Sequence, residues 1–414
     1  MTQQLRYAEF KSGWPALLTA TIGSAVGVTS LLFYSLGSFT VTLQQEFGWN
    51  RAEISSAFLY TTLALTLAAA PVGWLLDRFG PRRVALISVP GFTLSLFLLG
   101  QFNGGLPSFY LLFALAGLLG AGTSSIVYTK AVNSSFFKSR GLALGITLGG
   151  VGVGALVLPP LVTGLVQTLG WRSGYMALAT LSLIAIPFIL FGLKDKSAET
   201  SRIEHTAGLD RSTALRSRPF WTMMASFSLI AGSVPAIIPH MVPMLTDVGL
   251  EPSRAASIAA LIGLGVIGGR LGIGFLVDRF FAPYVAAPLF LVTAVGCLML
   301  LWGGPALAPI AALMIGVSFG AEADLIAFLC ANYFGLKCYG FIYGIIYAVF
   351  TVAVAIGPIW VGGVFDRTGS YDGALTAIAV LLVIGSVILL TLPKYRRFSP
   401  EDRSPASGSD LVNI

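Results

Sequence analysis

Residues 73–83 read Gly-Trp-Leu-Leu-Asp-Arg-Phe-Gly-Pro-Arg-Arg, a short charged stretch between two apolar runs. The runs cover about 54–76 and 83–101, and each has close to the roughly 20 residues that an α-helix needs to cross the hydrocarbon core of a bilayer. We therefore expect a tight turn that joins two membrane-spanning helices. A degenerate copy, Gly-Phe-Leu-Val-Asp-Arg, recurs at 274–279, so the chain carries this turn twice.

The composition excludes a water-soluble globule. Of the 414 residues 56% are hydrophobic and 10% are charged, with a mean hydropathy of +0.84, whereas a soluble domain carries about 25% charged residues. The 48 glycines and 21 prolines are tolerated in helices that pack and bend within a bilayer. The formal charge of +7 predicts no nucleic-acid partner, because a positive cytoplasmic face gives the same excess.

Twelve apolar runs are long enough to cross a membrane. Nineteen of the 25 Lys and Arg residues fall in the termini and in the loops after even-numbered runs, whereas the opposite loops hold four. Because retained positive charge marks the cytoplasmic side, both termini are expected to be cytoplasmic, in a plasma or bacterial inner membrane. The runs cover about 14–41, 54–76, 83–101, 107–132, 141–168, 173–193, 219–245, 255–277, 284–303, 306–333, 339–365 and 373–392.

The chain also repeats itself at an offset near 200 residues. Gly48 matches Gly249 at offset 201, and Gly170 matches Gly369 at offset 199. Such a repeat predicts an all-α polytopic membrane protein with twelve transmembrane helices in two pseudo-symmetric six-helix bundles, the arrangement of many alternating-access transporters. The predicted boundaries are an N-terminal bundle at 1–193, a cytoplasmic linker at 194–218, a C-terminal bundle at 219–393 and a cytoplasmic tail at 394–414.

The turn at 73–83 resembles the signature loop of the major facilitator superfamily and departs from it in having Pro81 where a basic residue is common. In that family's pattern, the glycines let two helices approach, and the acid with its basic neighbours holds the cytoplasmic ends of the bundles together in one conformational state. The resemblance implies a gating role for seven residues: Gly73, Asp77, Arg78, Gly80, Arg82, Asp278 and Arg279.

Within the superfamily, Phe136-Phe-Lys-Ser-Arg-Gly-Leu-Ala-Leu-Gly145 is similar to the fifth helix of the monocarboxylate transporters and the oxalate/formate antiporters. The sequence departs from both groups. The first run has no lysine, the position four residues before Arg270 is Val266 instead of an acid, and 339–365 carries no second cation. A single cation in the cavity favours a substrate with one carboxylate over a chelated dianion.

Arg270 is the strongest candidate for binding substrate. It lies eight residues before Asp278, hence roughly 12 Å below the end of its helix, where a charge needs a partner or a task. Its surroundings are similar to those of the eighth-helix arginine that binds the substrate carboxylate in both groups. A guanidinium suits that task because it donates two hydrogen bonds to one carboxylate; the alternative is a structural ion pair.

Glu322 and Asp324 are predicted at a depth close to that of Arg270. Two residues apart on a helix means about 200° apart around it, so at most one carboxylate faces the cavity squarely. We expect that one to pair with Arg270 in the empty site and to take the coupled proton. The other would belong to a structural charge cluster, and the sequence does not decide which is which.

Four further residues are weaker candidates for substrate contacts. His240, between Pro239 and Pro243, could bond a substrate or carry a proton, or it could be satisfied by a carbonyl that the prolines free. Tyrosine hydroxyls could help to hold a carboxylate, although aromatic residues in membrane helices are more often packing residues. These tyrosines are Tyr34, Tyr128 and Tyr347.

The sequence thus predicts a secondary transporter that carries a small carboxylate with protons, by proton-coupled symport of a monocarboxylate. The alternatives are an organic-anion exchanger of the oxalate/formate type and a proton-linked carrier of a neutral or cationic solute. No nucleophile–base pair, metal-ligand cluster or nucleotide loop is visible, so we expect no enzyme activity and no cofactor. We expect the chain to function as a monomer.

Overall fold

The computed structural model describes residues 2–133, 135–136, 140–193, 208–277, 279–335 and 337–395, with the backbone alone at 2–8, 77, 140, 141 and 340. This part of the chain is almost entirely α-helical and forms no strand, only an isolated bridge between Gly208 and Gly335. Eleven of its helical segments are apolar and long enough to cross a membrane. One of these, Ala282–Phe334, has 53 residues and a non-helical break at Gly304.

At about 1.5 Å per residue, a helix of that length spans roughly 80 Å, enough for two crossings of a core about 30 Å thick. The break at Gly304 separates these two crossings, which gives the twelve that the sequence predicts. The segments are Glu9–Phe47 (span 1), Arg51–Leu76 (span 2), Arg78–Gly100 (span 3), Leu106–Asn133 (span 4), Leu142–Leu169 (span 5), Trp171–Gly192 (span 6), Arg218–Asp247 (span 7), Pro252–Val277 (span 8), Ala282–Phe334 (spans 9 and 10), Phe341–Thr368 (span 11) and Asp372–Leu390 (span 12).

An even number of crossings brings the start of span 1 and the end of span 12 to one side of the membrane, here named the terminal side; the other is the far side. Two glycine pairs matched by the sequence repeat share a backbone conformation. Gly48 and Gly249 have φ values of 70° and 91°, and Gly170 and Gly369 have 82° and 69°. Positive φ suits glycine because it has no Cβ, so the repeat is also present in the turns on the far side.

The two halves of the chain meet where glycines remove the side chain. Span 5 packs on span 8 at Gly152 and Gly263, where a Cβ on Gly263 would lie 2.2 Å from the Leu156 backbone nitrogen and 2.4 Å from the Gly152 oxygen. Span 1 meets span 7 in the same way, because a Cβ on Gly37 would lie 2.4 Å from the Pro239 oxygen. These contacts lie at mid-depth and toward the far side.

We expect Gly263→Ala to destabilise this arrangement, because its added methyl would press on backbone atoms, and overpacking costs about 1–3 kcal/mol. Gly268→Ala is the matched control in the same helix, since its Cβ would meet no atom of the described ranges within 4 Å. Thermal unfolding of the two purified variants tests this. The melting temperature should fall for Gly263→Ala and stay level or rise for Gly268→Ala; equal values would contradict the packing described.

The segment that leads into span 7 contacts the connection between spans 10 and 11. The Leu209 backbone N–H donates to the Phe334 carbonyl at 2.9 Å. The Lys337 ammonium lies 2.9 Å from the Asp210 carboxylate, which raises the pKa of that lysine through the hydrogen bond and the opposite charge. The connection from the first half of the chain to the second therefore touches the terminal side of span 10, the helix that carries Glu322 and Asp324.

Candidate functional site

An arginine of span 8 and an acid of span 10 form a loose ion pair. The Arg270 Nη1 atom lies 3.5 Å from Asp324 Oδ2, and the two side chains are 12% and 47% exposed. The Arg270 Nε atom is buried, and within the described ranges it has no hydrogen-bond partner. Since a guanidinium carries five N–H donors in a planar fork, Arg270 keeps donors free for a second carboxylate.

Glu322 lies two residues before Asp324 in span 10, on the opposite side of the helix, and its side chain is 1% exposed. Neither of its carboxyl oxygens has a hydrogen-bond partner among the residues that the structure describes. The positive charge of Arg270 interacts electrostatically with the carboxyl groups of both Glu322 and Asp324. The two acids therefore differ: Asp324 is about half exposed and paired with Arg270, whereas Glu322 is enclosed and joins no structural charge cluster among the described residues.

Tyrosines from two other spans complete this cluster. Tyr34 of span 1 is buried, and its hydroxyl lacks a partner in the described part of the chain. This hydroxyl interacts electrostatically with Arg270 and Glu322. The hydroxyl of Tyr347 in span 11 interacts in the same way with Arg270, Asp324 and Glu322. Because span 1 belongs to the first half of the chain and spans 8, 10 and 11 to the second, the cluster lies where the two halves face each other.

Aromatic rings close this cluster toward mid-depth. Phe33 of span 1 stacks on Phe319 of span 10 with ring centroids 5.9 Å apart, and Tyr34 meets the same Phe319 ring edge-on at 6.4 Å. Such pairs are favourable at these separations. They form an apolar contact between the halves next to the charged groups.

Two of the residues predicted to bind substrate lie elsewhere. The Tyr128 ring is fully buried in a separate apolar cluster of the first half and packs against Gly23, where a Cβ would lie 2.2 Å from its Cζ atom. His240 is 1% exposed, and its Nε2 atom lies 2.8 Å from the Pro358 carbonyl oxygen of span 11. The structure therefore brings together Arg270, Tyr34, Tyr347, Glu322 and Asp324, and it places Tyr128 and His240 outside this group.

A second charged cluster, which the sequence pattern does not predict, joins the halves on the far side. The Arg51 guanidinium donates two hydrogen bonds to Asp247 at the end of span 7, at 2.6 and 2.8 Å. Its Nη1 also donates to the Tyr371 hydroxyl. The Arg51 Cζ atom lies 3.8 Å from the centroid of the Phe365 ring. Asp366 accepts from the backbone N–H groups at the start of span 2, both at 2.9 Å. We name Arg51, Asp247, Tyr371 and Asp366 the far-side cluster.

The far-side cluster continues inward through His240. The Tyr371 hydroxyl lies 3.3 Å from His240 Nδ1, and Ser55 Oγ lies 3.4 Å from His240 Nε2. The sequence places Arg51 among the four basic residues of the far-side loops and gives it no further role. A signal was present, since Asp247 and Asp366 end the two apolar runs on that side, but only the fold shows that three helix ends converge on one guanidinium.

The turn between spans 2 and 3 is broken at one of its glycines. Gly80 has φ 80° and ψ 165° inside the helix Arg51–Gly100, a conformation that favours glycine. A Cβ on Gly73 would meet no atom of the described residues within 4 Å. The backbone conformation of Gly80 therefore forms the turn, whereas no helix in the described part of the chain packs closely against Gly73.

Both arginines of the repeated motif lie over aromatic rings. The Arg78 guanidinium is 5.2 Å from the Trp74 ring centroid, and that of Arg279 is 3.8 Å from the Phe275 ring centroid. These cation–π contacts hold both side chains beside their own helices. Arg82 is partly buried. The acids of the two copies lie outside the described residues: the side chain of Asp77 and the whole of Asp278.

Comparison with known proteins agrees with this architecture. The family model described as Major Facilitator Superfamily matches residues 22–358. The chain is 28% identical to human monocarboxylate transporter 11 over 92% of this chain and 83% of the relative. It is 27% identical to bovine monocarboxylate transporter 13, over 97% and 93%, and 24% identical to mouse monocarboxylate transporter 12, over 91% and 85%. With a twelve-span helical fold and a family match over most of its length, the chain belongs to the major facilitator superfamily of multi-pass membrane transporters and is related to the monocarboxylate transporters.

Proposed function

We propose that this protein is a proton-coupled symporter of a monocarboxylate that works by alternating access, with both termini in the cytoplasm. The observation that carries the proposal is the Arg270 guanidinium, which lies between the two halves of the chain with unused donors and a solvent-exposed acid beside it. The relatives of this chain are named monocarboxylate transporters, which supports a carboxylate substrate.

In this proposal, Asp324 holds Arg270 in the empty site and gives it up to the substrate. An incoming carboxylate takes the two-donor face of the guanidinium, and Asp324, released from its partner, binds a proton from the solvent that reaches it. Substrate anion, arginine and neutral acid then cross with less net buried charge than they would without the proton. The enclosed position of Glu322 makes it the less favoured proton carrier.

The far-side cluster acts as the closing contact of one conformational state. It joins the start of span 2 to the ends of spans 7 and 11 and the start of span 12, and the Arg51 side chain is 4% exposed. Asp324 is half exposed. The arrangement favours a state that is closed on the far side and open to the terminal side, so the cluster must separate before the site can open to the far side.

Replacing Arg51 should loosen this contact. We expect Arg51→Gln to expose Ser55, which lies one turn below Arg51 and is 3% exposed. In a Ser55→Cys background, an impermeant thiol reagent added from the far side should react about tenfold faster or more. Breaking a buried ion pair costs about 3–5 kcal/mol, and about 1.4 kcal/mol corresponds to a factor of ten.

Arg172→Gln is the matched control for this experiment. Arg172 also lies on the far side and pairs with Glu46 at 2.8 Å, but both residues belong to the first half of the chain. Its loss should leave the labelling rate of the cysteine at 55 within about twofold. If both variants accelerate the labelling of this cysteine equally, the far-side cluster does not control access from the far side.

Uptake of labelled mono- and dicarboxylates into proteoliposomes tests the function itself. We expect monocarboxylates to accumulate when the outside is more acidic than the lumen, and the accumulation to collapse when a protonophore removes the pH gradient. Flux that ignores the gradient and requires an internal counter-anion would identify an exchanger. Transport of neutral or cationic solutes with no carboxylate flux would overturn the carboxylate assignment.

A further inference from the structure

Span 11 carries a column of four aromatic rings on one face. The rings of Tyr339, Tyr343, Tyr347 and Phe350 follow one another with centroid separations of 5.5, 5.2 and 5.6 Å and interplanar angles of 6°, 22° and 22°. Their spacing of four, four and three residues is that of neighbours along one side of a helix. The column begins at the terminal end of span 11 and runs toward the middle of the membrane.

The column faces the candidate site. The Asp324 carboxylate interacts electrostatically with the hydroxyls of both Tyr343 and Tyr347, and the Arg270 guanidinium interacts with that of Tyr347. Phe350, at the inner end, is 6% exposed within the core cluster that also contains Tyr34. The column therefore lies along the side of span 11 that meets Arg270 and the acids of span 10.

Tyr347 is the member of this column with an open surface. It is 39% exposed, and its hydroxyl makes no hydrogen bond within the part of the chain that the structure describes. The aromatic neighbours on either side hold its ring in a stack, so its orientation is set before any ligand arrives. A half-exposed, oriented ring next to a guanidinium with unused donors forms two adjacent binding surfaces, one for an anion and one for a flat apolar group.

We propose that the substrate is an aromatic monocarboxylate, whose carboxylate binds Arg270 while its ring packs against the exposed edge of the Tyr347 ring. This inference rests on the proposed function, because Arg270 must be the carboxylate anchor. A small aliphatic acid would use only the first surface and leave the second exposed. Offset or edge-on contact between rings adds to the gain from burying apolar area, and the two surfaces together fix the orientation of the ligand.

The experiment compares phenylacetate with cyclohexylacetate, which has the same carboxylate and a saturated ring of similar size. Binding of each to the purified full-length protein is measured by titration. We expect phenylacetate to bind about three- to tenfold more tightly, the range that aromatic pairs contribute beyond area burial. In Tyr347→Leu this preference should fall to about twofold or less.

Two further variants make the result specific. Tyr347→Phe keeps the ring and should keep the preference. Tyr60→Leu removes another half-exposed tyrosine, stacked on Tyr110 at 4.5 Å, away from the candidate site, and should also keep it. Equal affinity for the two acids in the unmodified protein, or a preference that survives Tyr347→Leu, would overturn the aromatic assignment.

The same titration separates this inference from the proposed function. If both acids bind, lose binding in Arg270→Lys and show no dependence on Tyr347, the carboxylate site stands and the aromatic assignment fails. If neither acid nor any aliphatic monocarboxylate binds in a manner that depends on Arg270, the proposed function itself fails, and the aromatic assignment fails with it.

Discussion

Arg270→Lys should reduce carboxylate transport by about a hundredfold or more while the protein still folds and inserts. Lysine keeps the positive charge but offers a single ammonium in place of a planar fork, so it cannot donate two parallel hydrogen bonds to one carboxylate. A charge-assisted hydrogen bond contributes about 1.5–3 kcal/mol, and lysine would also have to reach the position of a longer side chain. Initial uptake rates in proteoliposomes with equal protein content measure the loss.

Arg254→Lys serves as the control, because Arg254 is an exposed arginine at the far-side start of the same span. It should transport at a rate within about twofold of the unmodified protein. A well-folded Arg270→Lys protein with unchanged affinity for its substrate would transfer the carboxylate-binding role to another residue.

Asp324→Asn should abolish pH-driven accumulation but leave substrate binding and exchange in place. The amide imitates the protonated acid and cannot release or accept the coupled proton, whereas the carboxylate-binding donors of Arg270 remain. Accumulation ratios under an inward proton gradient should fall to about 1, the value that equilibration without coupling gives. Counterflow of labelled substrate into preloaded proteoliposomes measures the exchange that remains.

Glu322→Gln is the matched comparison, two residues away in the same helix. Because Glu322 is enclosed and Asp324 holds the ion pair, we expect Glu322→Gln to keep a clear response to the gradient. Loss of accumulation in Glu322→Gln alone would assign the proton to that acid. If both variants still concentrate substrate, the proton moves by another residue, and His240 is the next to replace.

The membrane crossings were predictable because lipid imposes a length and an apolar composition on each helix. The predicted run at 219–245 corresponds to Arg218–Asp247, and that at 255–277 to Pro252–Val277. The break at Gly304 was expected between the runs 284–303 and 306–333, and the structure has its positive φ at that residue. The resemblance carried by residues 73–83 is confirmed by the family match over 22–358.

The candidate site was only partly predictable. A charge inside an apolar run is costly and therefore conspicuous, which is why Arg270, Glu322 and Asp324 could be selected from the sequence. Which of the acids meets the arginine depends on how spans 8 and 10 are rotated about their axes, and that rotation is set by packing at glycines such as Gly265 and Gly316, where backbones touch. Helical spacing within one span does not contain this information.

Residues at the ends of spans were harder still. Arg51 follows Asn50, whose side chain caps the helix by accepting from the Glu53 N–H, so in the sequence it reads as an ordinary first-turn residue. Its partner Asp247 is 196 residues away, and the contact exists only because the two halves close on each other. Tyr128 shows the opposite case, in which a tyrosine with a suitable depth in the sequence is turned into the core of its own half.

Proton-coupled symport is tested most directly by the lumenal pH of proteoliposomes when a labelled monocarboxylate is added outside at equal pH on both sides. We expect the lumen to acidify by one proton for each carboxylate that enters, beyond the change in protein-free liposomes, and we expect this excess to be absent with Arg270→Lys. Carboxylate entry with no excess acidification, matched by the release of a preloaded anion, would contradict proton-coupled symport.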